Sequence, residues 1–231
     1  RMDRHYRISK GNTGIFSSLS VTSILILITV AAFIFFSILI AAGVIPLDFI
    51  AIKPSNILQG KYLWTFITSM FMHAPGPPGL IFFSFHLFVN MLSLLFIGSL
   101  VERILGKKRY FWFYMISGLL AGLFFVLSSL IFPSDFNTFA VGASGALFGL
   151  VGMLVLLTPN LPVFVMFIPI PIKMKYAAPG ILILLWLISI AGNVPIGNTA
   201  HLGGLLAGLA YGIYLRNKYE KKMRYLNKYF S

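Results

Sequence analysis

Six apolar runs, at about 20–43, 81–101, 110–132, 142–158, 178–193 and 199–216, dominate the hydropathy pattern of the chain. Runs of about 17–25 apolar residues cross a bilayer as helices, so the pattern predicts a six-helix, all-α membrane bundle. Two intervening segments break it. Residues 44–80 form a long first loop, and its stretch "KYLWTFITSMFMH" is only half apolar and rich in aromatics. That composition suits a segment lying at the membrane interface. The tail of the loop, "APGPPG" (74–79), cannot continue a helix. Residues 159–176 carry Pro159, Pro162, Pro169 and Pro171 and predict a hairpin or extended connector at the membrane edge.

Composition agrees with this reading. The 231 residues are 58% hydrophobic and 10% charged, with a mean hydropathy of +0.92. The formal net charge is +13, which in a soluble protein would point to nucleic acid. Here the basic residues lie outside the apolar runs, and the tendency of Lys and Arg to stay on the cytoplasmic side explains them. With the N-terminus in the cytoplasm, all of the 18 Lys and Arg residues except Lys53 and Lys61 fall on that side. The expectation is therefore an N-in, C-in protein. It has a tail at 1–19, a membrane domain at 20–216 and a basic tail at 217–231. The first apolar run reads as a retained span, and no nucleic-acid partner is expected. There is no cysteine, which excludes disulfides, thiol catalysis and cysteine-ligated metals.

Depth is the next constraint. Helices rise about 1.5 Å per residue. Ser144 lies fifteen residues from Pro159, and His201 fifteen from Arg216. Counted from the cytoplasmic edge, both sit roughly 22 Å up. Asn90 and His86, counted from Arg103, come out at roughly 20 and 26 Å. Four polar residues from three spans thus share one layer. Gly204, Gly208 and Gly212 on the last span, and Gly145, Gly149 and Gly152 on the fourth, form small-residue faces that permit close helix contact in lipid. These two spans should pack tightly, with Ser144 and His201 near the top of the seam.

A serine in a glycine-rich span is more often a packing residue than a nucleophile. An intramembrane histidine is a functional candidate by default. Two constellations fit. In one, His201 takes the proton of Ser144, while His86, Asn90 and a backbone N–H stabilise an oxyanion. In the other, His86 and His201 bind a metal, which needs a third protein ligand. The five acids are Asp3, Asp48, Glu102, Asp135 and Glu220. Glu102 falls near the cytoplasmic edge, Asp48 and Asp135 in outer loops, so the metal reading lacks a ligand. A hydrolase here would also lack a carboxylate to orient its imidazole. His5 reads as a solvated tail residue, and His73 as a structural hydrogen-bonding residue. A proton channel or transporter would want acids along a path, and below the Ser144 layer the spans are glycine-packed.

Three motifs, "GASGALFG" (142–149), "AHLGGLLAG" (200–208) and "HLFVN" (86–90), together resemble those of the rhomboid intramembrane serine proteases and occur in that family's order. His73, Trp64 and Glu102 also fit the family pattern. The resemblance implies Ser144 as nucleophile and His201 as general base. It implies His86 and Asn90 on the oxyanion side, Gly142 in the turn before the serine, and Phe148 as the ring under the histidine. It further implies cleavage of single-span membrane proteins within the bilayer, without a cofactor, at a site opening to the extracytoplasmic side of a multi-pass protein, such as one of the cell membrane. A catalytically inactive relative that binds transmembrane helices is the alternative. Two departures stand out. Trp64–Thr65 replaces the family's common Trp-Arg, and about eight additional residues, including "PGPPG", separate His73 from His86.

Overall fold

The computed structural model describes residues 19–75, 84–165, 168–192, 196–222 and 225. Most of the inserted "PGPPG" run, His5 and most of both tails lie outside these residues. Among them are five long helices, α1 (Val21–Ala41), α4 (Phe85–Leu105), α5 (Lys107–Ser128), α7 (Met174–Gly192) and α8 (Asn198–Lys218), and the shorter α6 (Ser144–Leu157). Two single-turn helices, α2 (Pro54–Ile57) and α3 (Thr65–Thr68), shape the first loop. The proline-rich connector is an antiparallel hairpin, with β1 (Pro162–Phe164) paired to β2 (Pro171–Lys173).

Among the described residues, α1, α4, α5 and α7 are long and apolar enough to cross a membrane. The fourth and sixth apolar runs differ. α6 has 14 residues, about 21 Å of helix, short of the roughly 30 Å hydrocarbon core. α8 has 21 residues, but its glycines, Asn198 and His201 dilute its hydropathy. α6 sits where lipid contact is least needed. Eleven of the 14 residues of α6 are buried.

These two helices run parallel, and glycine sets their spacing. A Cβ on Gly204 would collide with the Gly145 carbonyl, and one on Gly208 with the Gly149 carbonyl, one turn further along. A Cβ on Gly152 would strike the Leu205 carbonyl. The backbones therefore touch directly, as small-residue faces allow in lipid. The apolar core surrounds α6, with Tyr110 and Tyr114 of α5 and Leu150, Met153, Leu154 and Leu157 of α6 fully buried.

The first loop is held by polar contacts. Trp64 Nε1 donates to the Phe49 carbonyl at 2.9 Å, and the Phe49, Tyr62 and Trp64 rings cluster about it. Thr65 is fully buried and donates to the Tyr62 carbonyl at 2.7 Å. Ile52 forms an antiparallel bridge with Ala140, so the loop grips the segment leading into α6. At the opposite end, Glu102 of α4 caps α1. Its carboxylate accepts from the backbone N–H groups of Val21 and Thr22, both at 2.9 Å, and from Thr22 Oγ1 at 2.8 Å.

The glycine seam yields a stability test. Gly208→Val should cost about 1–3 kcal/mol by overpacking and lower the midpoint of thermal unfolding in detergent. Gly180→Ala, where an added Cβ meets nothing within 4 Å, should leave the midpoint unchanged or slightly raised. Equal effects at the two positions would show that the α6–α8 contact is not tight.

Candidate active site

Ser144 is the first residue of α6 and His201 lies in the first turn of α8. Because the helices are parallel and in backbone contact, these starts come together, and His201 Nε2 lies 2.8 Å from Ser144 Oγ. His201 is 5% exposed. Its ring stacks on Phe148, one turn into α6, with centroids 4.7 Å apart and planes 23° apart. His201 Nδ1 is buried with no hydrogen-bond partner among the described residues. Three of the described acids are engaged elsewhere. Asp48 bonds Asn56 and pairs with Lys53, Glu102 caps α1, and Asp135 accepts from Thr199 Oγ1. Among the described residues the ring is thus oriented by stacking and by Ser144, with no carboxylate on Nδ1. Among the described residues no three His, Asp or Glu side chains are grouped to hold a metal.

The turn before Ser144 explains its glycine. Gly142 has φ +124°, a region L side chains rarely adopt. A Cβ there would also stand 2.9 Å from His86 Cε1. The Gly142 N–H donates to the Ser69 carbonyl at 2.8 Å, and the Ala143 N–H to His73 Nε2 at 3.3 Å. Those two donors are committed. The N–H groups of Ser144 and Gly145 open the helix, where no intrahelical acceptor exists and negative charge is favoured.

His86 opens α4 beside this turn. The Ala74 N–H donates to its Nδ1 at 3.4 Å. In the neutral ring the proton then sits on Nε2, the atom that would lie 3.1 Å from a Gly142 Cβ. His86 therefore presents a donor toward the Ser144 side. Asn90, one turn along, is 4% exposed. Its Nδ2 donates to the His86 carbonyl at 2.8 Å, and its Oδ1 is buried without a partner among the described residues. A cavity of about 410 Å³ joins Ser144, His201, His86, His73, Gly142 and Ser69. Neither Asn90 nor Phe148 lines it. Phe148 acts from beneath the imidazole, and Asn90 lies behind His86.

His73 is the residue whose place sequence reasoning did not foresee. It is a hydrogen-bonding residue as its position suggested, but it lies in the cavity wall. It is fully buried, its ring centroid is 5.1 Å from that of His86, and it receives the Ala143 N–H beside the serine. Burial, with a smaller contribution from His86, pushes its imidazole down from 6.5 to about 3. A protonated ring could not accept the Ala143 N–H. Between about pH 3 and 6.5 the unfolded chain binds the proton that folded His73 refuses, so stability rises with pH across that window and is lost as pH falls. His73→Gln keeps an acceptor without a titrating ring. Its thermal midpoint should fall less than that of the parent chain between pH 7 and pH 4, and parallel curves would remove His73 as a source of acid lability.

Comparisons with known proteins point to one family. Residues 60–218 match the Rhomboid domain. RHOMBOID-like protein 1 of Arabidopsis thaliana is 38% identical over 165 residues, covering 70% of this chain and 37% of that protein. Rhomboid protein 1, mitochondrial, of Saccharomyces cerevisiae is 32% identical over 149 residues, covering 59% of this chain and 40% of that protein. Inactive RHOMBOID-like protein 8 of Arabidopsis thaliana is 31% identical over 154 residues, covering 65% and 38%. The chain matches less than half the length of each of these relatives.

Proposed function

The chain belongs to the rhomboid family, and from that premise we propose that it is an intramembrane serine protease acting through a Ser144–His201 dyad. The observation that carries the reading is the 2.8 Å contact between His201 Nε2 and Ser144 Oγ, at the wall of a cavity and over the Phe148 ring. His201 Nε2 takes the hydroxyl proton as Oγ attacks the scissile carbonyl carbon. The carbonyl oxygen becomes an oxyanion that the Ser144 N–H and His86 Nε2–H can meet. The C–N bond then breaks, and the amine leaves with the proton held by His201. Water, deprotonated by the same imidazole, hydrolyses the ester and restores Ser144. Asn90 fits a supporting place in this scheme, holding the first turn of α4 through the His86 carbonyl. Substrates would be single-span membrane proteins whose unwound segment reaches the cavity.

The same proposal covers topology. Six spans within 20–216, with cytoplasmic tails at 1–19 and 217–231, leave only Lys53 and Lys61 among the 18 basic residues outside. The cavity then opens to the extracytoplasmic side. In sealed right-side-out vesicles, a tag after Lys108 or Lys228 should be shielded and one within 74–79 accessible. An accessible Lys108 tag would reverse the orientation.

The catalytic test uses purified protein and a model single-span substrate in detergent. A fluorophosphonate should label the parent chain but not Ser144→Ala. Both Ser144→Ala and His201→Ala should lose nearly all cleavage. His86→Ala should cleave about 10²–10³-fold more slowly with an unchanged thermal midpoint. Substrate capture without labelling or cleavage by the parent chain would instead favour an inactive transmembrane-helix binder, a second reading prompted by the relative whose name is Inactive RHOMBOID-like protein 8.

A further inference from the structure

A second cavity lies on the outer side of the bundle, between α5 and α8, away from the Ser144 site. Its volume is about 550 Å³. From α5 it is lined by Lys108, Arg109, Trp112 and Ile116, and from α8 by Ala207 and Tyr211. The lining residues are sorted by chemistry along the helices. Lys108 and Arg109 stand together at the start of α5, and both are exposed. Trp112 and Ile116 follow at one-turn intervals and are 55% and 49% exposed. Facing them, Ala207 and Tyr211 are also one turn apart, and the small Ala207 leaves the groove open at its apolar end. No acidic side chain lines the cavity. Arg109 lies over the Tyr219 ring at 5.8 Å, beside the end of α8, which keeps its guanidinium close to the mouth.

We propose that this groove is a binding site for one anionic phospholipid, with its phosphate at Lys108 and Arg109 and an acyl chain along Trp112, Ile116 and Ala207. The charge pattern selects the occupant. A free phosphate would use the two cations and leave the apolar wall wet. A zwitterionic lipid carries its own cation into the Lys108–Arg109 mouth. An anionic lipid satisfies both ends. Basic pockets at the polar ends of membrane helices favour such headgroups, and the guanidinium of Arg109 suits bidentate phosphate contact. The lipid would bridge α5 and α8, the two helices that flank the glycine seam of α6. This inference stands apart from the protease reading, because none of these residues belongs to the Ser144 cavity.

The test exploits Trp112. Trp64→Phe and Trp186→Phe leave it as the sole tryptophan of the full chain. Reconstituted into phosphatidylcholine vesicles, this protein is titrated with bromine-labelled phosphatidylglycerol or bromine-labelled phosphatidylcholine at equal mole fractions. Phosphatidylglycerol should quench Trp112 at a several-fold lower mole fraction. Lys108→Gln with Arg109→Gln should abolish that preference while quenching by phosphatidylcholine persists. Ala207→Leu, which fills the groove and keeps both charges, should weaken quenching by the anionic lipid. Equal quenching by the two lipids in the Trp112-only protein would overturn the site as mere annular contact, whatever the further variants do. A preference that survives the double substitution would also overturn it. So would Trp112 quenching blocked by inorganic phosphate alone, since the occupant would then be the ion.

Discussion

Backbone contact between α6 and α8 is the constraint on which the molecule depends. Glycine at 145, 149 and 152 on one helix and at 204 and 208 on the other removes the side chains that would hold two helices apart. Lipid gives no hydrophobic reward for helix association, so van der Waals fit across such faces must hold the pair together. The contact also has chemical consequences. It fixes the offset between two parallel helices, and that offset sets Ser144 Oγ against His201 Nε2. One added methyl group on the seam would separate the helices and with them the pair of side chains. Helix packing and the Ser144–His201 contact rest on the same small residues, which is why a serine amid glycines can be both a seam residue and a candidate site residue.

Around that seam the site is built from unusually few charges. The imidazole of His201 rests on an aromatic ring, and Asp48, Asp135 and Glu102 are engaged elsewhere. A carboxylate brought into an apolar interior must be hydrogen-bonded or paired to avoid a large desolvation cost. Stacking on Phe148 orients the ring without that cost. The short length of α6 is part of the same design. Its 14 residues begin at Ser144, and the chain that leads into it is loop backbone. That backbone is satisfied by the Ile52–Ala140 bridge and by the Ser55 N–H donating to the Phe136 carbonyl at 2.9 Å. Irregular backbone at such a level is tolerated where protein covers it.

How much of this could be read from residues alone follows from how local each signal is. Apolar runs are local, and the helices lie where the runs are, within a few residues. The connector hairpin announced itself through its prolines. Ser144 and His201 could be brought to one layer because rise per residue is fixed, and the glycine spacing on both helices already implied a seam. Phe148 came from family resemblance, since i+4 spacing alone names no partner. What escaped was long-range and side-chain specific. The Ala143 N–H meets His73 across 70 positions, and nothing periodic in the first loop signals that contact. Likewise, i, i+4 spacing put His86 and Asn90 on one face, but it did not reveal that the Asn90 amide is spent on the His86 carbonyl. The turn of π-helix at Leu94–Gly98 within α4 was equally invisible, because one extra residue in a turn barely alters an apolar pattern.

The Glu102 cap joins two pieces of chain that are made well apart in time. Val21 and Glu102 are 81 positions apart, so at about 5–20 residues per second the ribosome makes the capping carboxylate roughly 4–16 s after the helix it caps. Throughout that interval the first turn of α1 has N–H groups that nothing in the nascent chain can satisfy at that carboxylate. Ser20 Oγ accepts from the Ser23 N–H at 3.0 Å, which leaves the Val21 and Thr22 N–H groups as the ones that need water until the carboxylate is made. Glu102 precedes every residue of α6 and α8 in the chain, so its carboxylate is available to α1 before either of those helices has been synthesised. The cap is thus complete in sequence while both halves of the Ser144–His201 pair are still unmade.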